Sequence, residues 1–502
     1  MHATSTRRTR RRLLGHALAA GSALAAAPWI AHAQEASATR STATPTAGNE
    51  PEALFAELDA FIARRMGELG VPGAAVGVIA GDREHAAGFG VTNVDHPLPV
   101  DTDTLFQIGS TTKTFTGTAI MRLVERGTLD LDAPVREYLP EFRVADPEVS
   151  AGVRLRHLLT HTAGWQDAGI VETGDGDDAL ARLVAGMADR HQVAPPGEHL
   201  SYSNDGLALA GRVVEAVTGQ TYEAAISDLV LEPLGMEQAS FFPEEFMTEA
   251  FAVGHATPPG DPEAPPFVAQ PWGLPRAANP AGGLVSIAAQ QLRYARFHLG
   301  EGTANGERLL SAEGMRRMRT PLGPGGTLPT QVSPIDAIGV TWQLRRRGGV
   351  DVVSHSGGTL GQMSRFDLVP ERGFALAVLT NSQTGLRLHD EVAGLAFERF
   401  LGISSEERTV VDIDPARFGE FVGDYALPNG AQTIRVHQDG GGLAIEVNAA
   451  GEPLLSSPVR FLGEDLVETD YYWTQALGDF VRDDGGEVAW FRYFGRLVPR
   501  TA

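Results

Sequence analysis

Apolar residues recur at helical spacing through "ALFAELDAFIARRMGELG" (53–70) and then run almost unbroken through "GAAVGVIA" (73–80). The folded chain is therefore expected to open near Glu52 with an amphipathic helix ending on Gly70, followed by a buried strand that turns at Gly81-Asp82. A second apolar run, "FALAVLTN" (374–381), reads as another buried strand, and "RLHDEVAGLAFERFL" (387–401) as a strongly amphipathic helix. Between them, from about 115 to 320, the pattern is mainly helical and loop-like, with a Pro-rich break at "ATPPGDPEAPP" (256–266). The terminal segments are expected to share one sheet, with a helical region inserted between them. Beyond "GISSEERTVVDIDP" (402–415) short alternating strands take over, with hairpin signals in "TIRVHQDGGGLAIEV" (433–447) and "FVRDDGGEVAWFRYF" (480–494). This tail is expected to form a small antiparallel barrel or half-barrel. The chain has no internal repeat of fixed period.

Composition refines this α+β picture. At 502 residues, 43% hydrophobic and 21% charged, the chain is globular and too long for one small domain. A formal charge of −22 argues against a nucleic-acid partner, because phosphate binding needs clustered cations. The cations that do cluster, five arginines within positions 7–12, precede an Ala-rich apolar stretch and the small-x-small triplet Ala31-His32-Ala33. That order is expected of an export signal, and Thr9-Arg10-Arg11-Arg12-Leu13-Leu14 resembles the twin-arginine type. The expected division is a signal peptide at 1–33, a disordered linker at 34–50, a hydrolase-sized domain at 51–401, a linker at 402–414 and the β domain at 415–502. No segment beyond the signal is long and apolar enough to span a bilayer, so periplasmic or extracellular localisation without stable membrane insertion is expected. The chain has no cysteine and so needs no oxidative folding.

Lys113, in "GSTTKTF" (109–115), is the sole lysine among 41 lysines and arginines. Arginine keeps its proton in essentially any protein environment, whereas a desolvated lysine can lose it, so this position reads as one that needs proton traffic. Ser110 precedes it by three residues, one helical turn, and the following "TTKTFTGTAIMRLVERG" has apolar residues at helical spacing. A serine at a helix N-terminus lies among free N–H groups that favour a developing negative charge. A serine–lysine hydrolase also needs a second proton carrier, an orienting amide and a glycine-edged strand for oxyanion donors. Tyr202-Ser203-Asn204 follows a Pro-Gly break, and His355-Ser356-Gly357-Gly358 sits where a strand meets glycines.

These three motifs, in this order, resemble those of the serine β-lactamase and penicillin-binding superfamily, in the branch of class C β-lactamases, DD-carboxypeptidases, D-aminopeptidases and related esterases. The Ser-x-x-Lys motif is Ser110 to Lys113, the Tyr-x-Asn motif Tyr202 to Asn204, and the Lys-or-His-x-Gly motif His355 to Gly357. The flanks "VRLRHLLTHTAGW" (153–165), "LEPLGM" (231–236) and "PAGGLVS" (280–286) are similar as well. The resemblance spans about 52–401 and implies the β-lactamase/transpeptidase-like fold, an antiparallel sheet flanked by helices. The tail more weakly resembles lipocalin-like domains appended to some such hydrolases. None of the three motifs falls in the tail, which is therefore expected to tune substrate range or stability.

The resemblance implies that Ser110 attacks the acyl carbon, that Lys113 takes or relays its proton, and that Tyr202 shuttles a proton with a phenol pKa lowered by the neighbouring ammonium. Asn204 would orient the substrate carbonyl, and the N–H groups of Ser110 and Gly358 would form the oxyanion hole. His355 stands where β-lactamases of this branch carry lysine, and Gly358 where a hydroxyl residue often binds the substrate carboxylate. Both departures favour an esterase, D-aminopeptidase or related amidase over an efficient β-lactamase. The expected partner is a small-molecule or peptide substrate, and no cofactor is expected. The alternatives are a non-hydrolytic penicillin-binding or sensor protein, or a weak β-lactamase. A metal reading of His157 and His161, four residues apart, lacks the glutamate of a zincin helix and a third ligand, so that stretch is expected to line or support the site.

Overall fold

The computed structural model describes residues 51–258, 264–325, 328–329, 334–404, 408–449, 451–471 and 474–501. The expected signal and first linker lie outside these residues, as do parts of the Pro-rich break and of the second linker.

Helix α1 (Pro51–Leu69) buries Phe55, Leu58, Ile62 and Met66, one stripe at spacings of three and four residues. Gly70 follows at φ +64°, the left-handed conformation that stops a helix. Strand β1 (Gly73–Ala80) turns through Gly81 into β2 (Arg83–Gly90). The long insertion that follows carries α2 (Thr112–Glu125), α3 (Asn204–Thr218) and α4 (Ala288–Leu299) among shorter helices and loops. The chain then returns through β3 (Ala337–Ile338), β4 (Gln343–Arg347), β5 (Val350–Gly358), β6 (Met363–Val369) and β7 (Phe374–Thr380), and closes the region with α5 (Gly385–Ala396). The sheet order is β3-β4-β5-β6-β7-β1-β2, and neighbouring strands pair antiparallel. β7 thus lies beside β1, as expected of terminal segments that share a sheet.

Both faces of this sheet are covered, which is why its central strands read as continuous apolar runs rather than alternating ones. Ala74, Val76 and Val78 of β1 pack with α1 and α5, whereas Ala75 and Ile79 face the core that includes Leu292 of α4. Gly77 sits where α4 comes closest: a Cβ there would lie 2.9 Å from Leu292 Cδ2.

The tail folds into eight strands paired in chain order: β8 (Gly423–Ala426), β9 (Gln432–Asp439), β10 (Gly442–Ala449), β11 (Glu452–Phe461), β12 (Leu466–Tyr471), β13 (Thr474–Arg482), β14 (Val488–Tyr493) and β15 (Arg496–Pro499). A bridge between Tyr425 and Arg500 links the last strand back to the first, so the sheet is nearly closed around its own core of Phe421, Ile434, Ile445, Phe480 and Phe491. The barrel also docks on the insertion. Trp490 Nε1 donates to Val193 O at 2.7 Å, Arg492 Nη1 to Leu200 O at 3.1 Å, and Leu497 N to Ser201 Oγ at 3.2 Å. No helix among the described residues is long and apolar enough to cross a membrane.

Candidate active site

The three motifs converge at the junction of sheet and insertion. Gly109 to Thr111 form a single tight turn that leads directly into α2, so Ser110 and Lys113 share one face a turn apart. Gly109 has φ +49°, and a Cβ on it would lie 2.5 Å from Gly358 N; one on Gly357 would lie 2.0 Å from Ile108 O. Only glycines let the end of β5 approach the Ser110 turn this closely. The resulting contact brings the backbone of the Ser110 turn against that of Gly357 and Gly358. On β6, Ser364 Oγ donates to Ile108 O at 2.6 Å and lies 2.8 Å from Thr111 Oγ1, which ties the turn to the sheet.

Lys113 is fully buried, and its Nζ donates to Ser110 Oγ at 2.9 Å, Asn204 Oδ1 at 2.9 Å and Ala281 O at 2.6 Å. Burial holds its pKa well below the usual 10.5, with the charge of Arg496 adding to the effect and Asp167 opposing it. As an ammonium the group donates to all three; once the proton is lost, which burial favours, two N–H groups remain for Asn204 Oδ1 and Ala281 O and the lone pair faces Ser110 Oγ.

Tyr202 precedes α3 and hydrogen-bonds the Ser110 side chain. Its ring centroid lies 4.9 Å from Lys113 Nζ. The expectation of a lowered phenol pKa fails: burial pushes Tyr202 up to about 12, and the Ser110 hydrogen bond and Arg496 only partly counter it. The physical reason is that burial penalises the phenolate more than the Ser110 hydrogen bond and Arg496 favour it, and the charge of Asp167 raises the value further. Ser203 caps α3 by accepting from Gly206 N at 3.0 Å, which places Asn204 on the first turn with its carboxamide against Lys113.

His355 is buried on β5, and burial followed by Lys113 holds its pKa down at about 3. Its Nδ1 lies 2.6 Å from Ser356 O, the geometry of an Nδ1–H donor. His355 is therefore a neutral imidazole. Ser356 is half-buried, and together with His355, Arg345 and His389 it lines a separate cleft. Ser110, Asn204 and Gly358 instead line a cleft of about 450 Å³, partly open to solvent, whose other walls include Ile170, Val171, Leu183 and Leu274.

A family model described as beta-lactamase matches residues 58–399. The chain belongs to the β-lactamase family. Within this serine β-lactamase and penicillin-binding superfamily it is 37% identical over 372 residues to penicillin-binding protein 4 of Amycolatopsis lactamdurans, covering 72% of this chain and 94% of that one. It is also 37% identical over 235 residues to esterase EstB of Burkholderia gladioli, covering 43% of this chain and 58% of that one. The solved structure of SurE superposes with a TM-score of 0.73 at 27% identity, covering 90% of this chain and all of that one. The general activity these relationships support is that of a serine hydrolase.

Several residues of this family member's site lay outside the motifs. Ala281 contributes only a carbonyl, within the flank "PAGGLVS". His161, at φ +56°, stacks on Tyr202 with centroids 4.3 Å apart and accepts from Ser203 N through Nδ1 at 3.1 Å, so its proton sits on Nε2. His157 instead accepts from its own Arg154 N at 3.2 Å, so the two histidines serve separate positions. Asp167 Oδ1 accepts from Asn204 N and Asp205 N, both at 3.0 Å, and thereby caps α3 from outside.

Proposed function

We propose that this chain is an exported serine hydrolase that forms and hydrolyses an acyl-enzyme on Ser110, with an ester or amide as substrate and an apolar group seated in the cleft beside it. The observation that carries the reading is the contact of Ser110 Oγ with both the buried Lys113 amine and the Tyr202 side chain. Neutral Lys113 takes the Ser110 proton as Oγ attacks the acyl carbon. The N–H groups of Ser110 and Gly358 receive the oxyanion, an interaction worth about 3 kcal/mol per donor. As the tetrahedral intermediate collapses, Tyr202, protonated across the physiological range, donates to the leaving group and regains a proton from Lys113. Water then attacks the acyl-enzyme, giving one proton to the same pair, which passes it to Ser110 Oγ as the second tetrahedral intermediate collapses and releases the acid.

His355 in place of lysine and Gly358 in place of a hydroxyl residue favour ester or amide hydrolysis over efficient β-lactamase action. The relative named as an esterase supports the same end of the range, while the one named as a penicillin-binding protein supports a slow or non-turning-over acylation as the alternative. The test is to incubate the protein with p-nitrophenyl esters, D-amino-acid amides, D-Ala-D-Ala peptides and nitrocefin, following turnover by absorbance and acylation by intact mass and peptide mapping. Multiple turnover with a transient adduct on Ser110 is expected. Stable acylation without turnover would favour the binder, and an adduct on Ser203 or Ser356 would overturn the assignment. Export by the twin-arginine route is tested by N-terminal sequencing of secreted material, which should begin at Gln34.

A further inference from the structure

The contact between barrel and hydrolase region is not spread evenly: it concentrates on the segment that ends in Tyr202. Strands β14 and β15 are joined by a two-residue turn, Phe494-Gly495, with both residues at positive φ (+50° and +73°) and Tyr493 paired with Arg496. That is the tight hairpin whose twist suits its strands, and it projects its tip rigidly. Gly495 O accepts from Tyr202 N at 2.8 Å, and a Cβ on Gly495 would lie 3.5 Å from Tyr202 Cβ. Arg496 carries its guanidinium carbon to 5.3 Å from the centroid of the Tyr202 ring. Its Nη2 and Nε reach Asp167 Oδ2 at 3.3 and 3.4 Å. Asp167 holds, through its other oxygen, the first N–H groups of α3, on which Asn204 sits. One hairpin therefore grips the tyrosine by its backbone, covers its ring and anchors the carboxylate that fixes the neighbouring asparagine.

We propose that Arg496 of the C-terminal barrel is a positioning residue of the catalytic site, holding Tyr202 and, through Asp167, Asn204 against Lys113 and Ser110. The barrel is then part of the machinery and not a separable appendage that only tunes it. This rests on the reading of Lys113 and Tyr202 as the proton-handling pair. The groups facing that pair are Ser110 and Lys113 from the α2 turn, His161 and Asp167 from the insertion, His355 from β5 and Arg496 from the barrel. Of these, Arg496 brings a cation that cannot be discharged, and Asp167 the opposing carboxylate. The guanidinium lies close enough to favour the uncharged amine on Lys113, and the carboxylate favours the ammonium. The two partners of one ion pair thus act on the base in opposite senses.

That opposition makes the test specific. The full chain would be reacted with a fluorophosphonate probe across a pH series, as wild type, Arg496→Gln, Arg496→Lys and Asp167→Asn, with circular dichroism as the control for folding. If wild type does not react at Ser110, the reading of the site fails and the hairpin is not what failed. If it does react, Arg496→Gln should acylate at least about tenfold more slowly, and its acid limb should move to higher pH by about half a unit or more. Arg496→Lys should restore the position of the limb. Asp167→Asn keeps an acceptor for α3 but removes the opposing charge, so its limb should move to lower pH. A limb that stays put in folded Arg496→Gln and Asp167→Asn, whatever the plateau rate, overturns the proposal, as does an unchanged rate in Arg496→Gln. Should Arg496→Gln fail to fold, the direction of the limb in Asp167→Asn decides alone.

Discussion

The Nζ of Lys113 lies 2.9 Å from the Oγ of Ser110 inside a site that leaves the lysine no exposed surface. Three oxygen acceptors at 2.6 to 2.9 Å surround that nitrogen, so its position is defined by hydrogen bonds and not by a counter-charge. The role proposed for such a group is that of a base, its two remaining N–H groups held by Asn204 and Ala281 once its proton has left.

Replacing it tests this. Lys113→Arg keeps the charge but brings a planar fork and a permanent proton into a space fitted to one nitrogen. Acylation of a folded variant should fall by orders of magnitude, measured as the second-order rate against wild type. A rate within about threefold, a barrier change under about 1 kcal/mol, would remove Lys113 from the proton path.

Tyr202→Phe separates the hydroxyl from the ring. The ring keeps its stacking on His161, and the backbone keeps its bond to Gly495, so the fold should be unchanged. Only the hydrogen bond to Ser110 and the transferable proton are lost, which should lower kcat/KM for ester hydrolysis by about 10²-fold or more. The comparison of intact-mass acylation with turnover shows which half-reaction suffers.

The adjacent glycines of β5 should respond oppositely. A Cβ on Gly357 would meet Ile108 O at 2.0 Å and Ser110 N at 2.8 Å, both backbone, so Gly357→Ala must push the nucleophile turn away. It should destabilise by about 1–3 kcal/mol and abolish most acylation. A Cβ on Gly358 meets only the end of Met363, at 3.1 Å. Gly358→Ser should therefore fold normally, and by supplying the hydroxyl found at this place in β-lactamases it should raise nitrocefin acylation relative to ester hydrolysis. Urea unfolding and the ratio of the two rates check both halves.

What could be read from the chain follows how local the cause is. The helix at 51–69, the strands at 73–80 and 374–380 and the two tail hairpins are written in periodicity and glycine placement, and they stand where expected. The core of the site was legible because chemistry demands unusual neighbours: a serine one turn from the sole lysine, and glycines after His355. Ala281, Ser364, Asp167 and Arg496 carried no such signal. Each contributes a carbonyl, a hydroxyl or a charge across a long sequence separation, and only the folded topology brings 496 to 167. The ionisation state of Tyr202 was misjudged for the same reason, since burial outweighs the neighbour and burial is a property of the whole fold.

Acid should destabilise the protein through histidines that are buried uncharged. Burial holds His355 and His389 down at about 3 from an ordinary 6.5, and His161 and His298 well below it. His298 is an extreme case, enclosed by Tyr294, Phe297 and Trp342 with neither ring nitrogen hydrogen-bonded among the described residues. Below 6.5 the unfolded chain protonates these imidazoles while the folded chain does not, so the unfolded state binds more protons and stability falls as pH drops toward about 3. Asp205, pushed up to about 6 by burial and by Asp167, works in the reverse sense, as do Glu215 and Asp479, also raised by burial, but His157, held at about 4, and His199 and His255, also lowered, add to the four imidazoles on the other side. Each pKa unit is worth about 1.4 kcal/mol, so the histidines should dominate. His389, which lies 3.0 Å from Thr380 Oγ1 and outside the motif residues, isolates the effect. Urea midpoints of wild type and His389→Gln, compared through this window, should converge as pH falls, because the variant has one fewer group to protonate on unfolding. A constant difference between the two would mean that His389 takes up its proton in the folded state as readily as in the unfolded one.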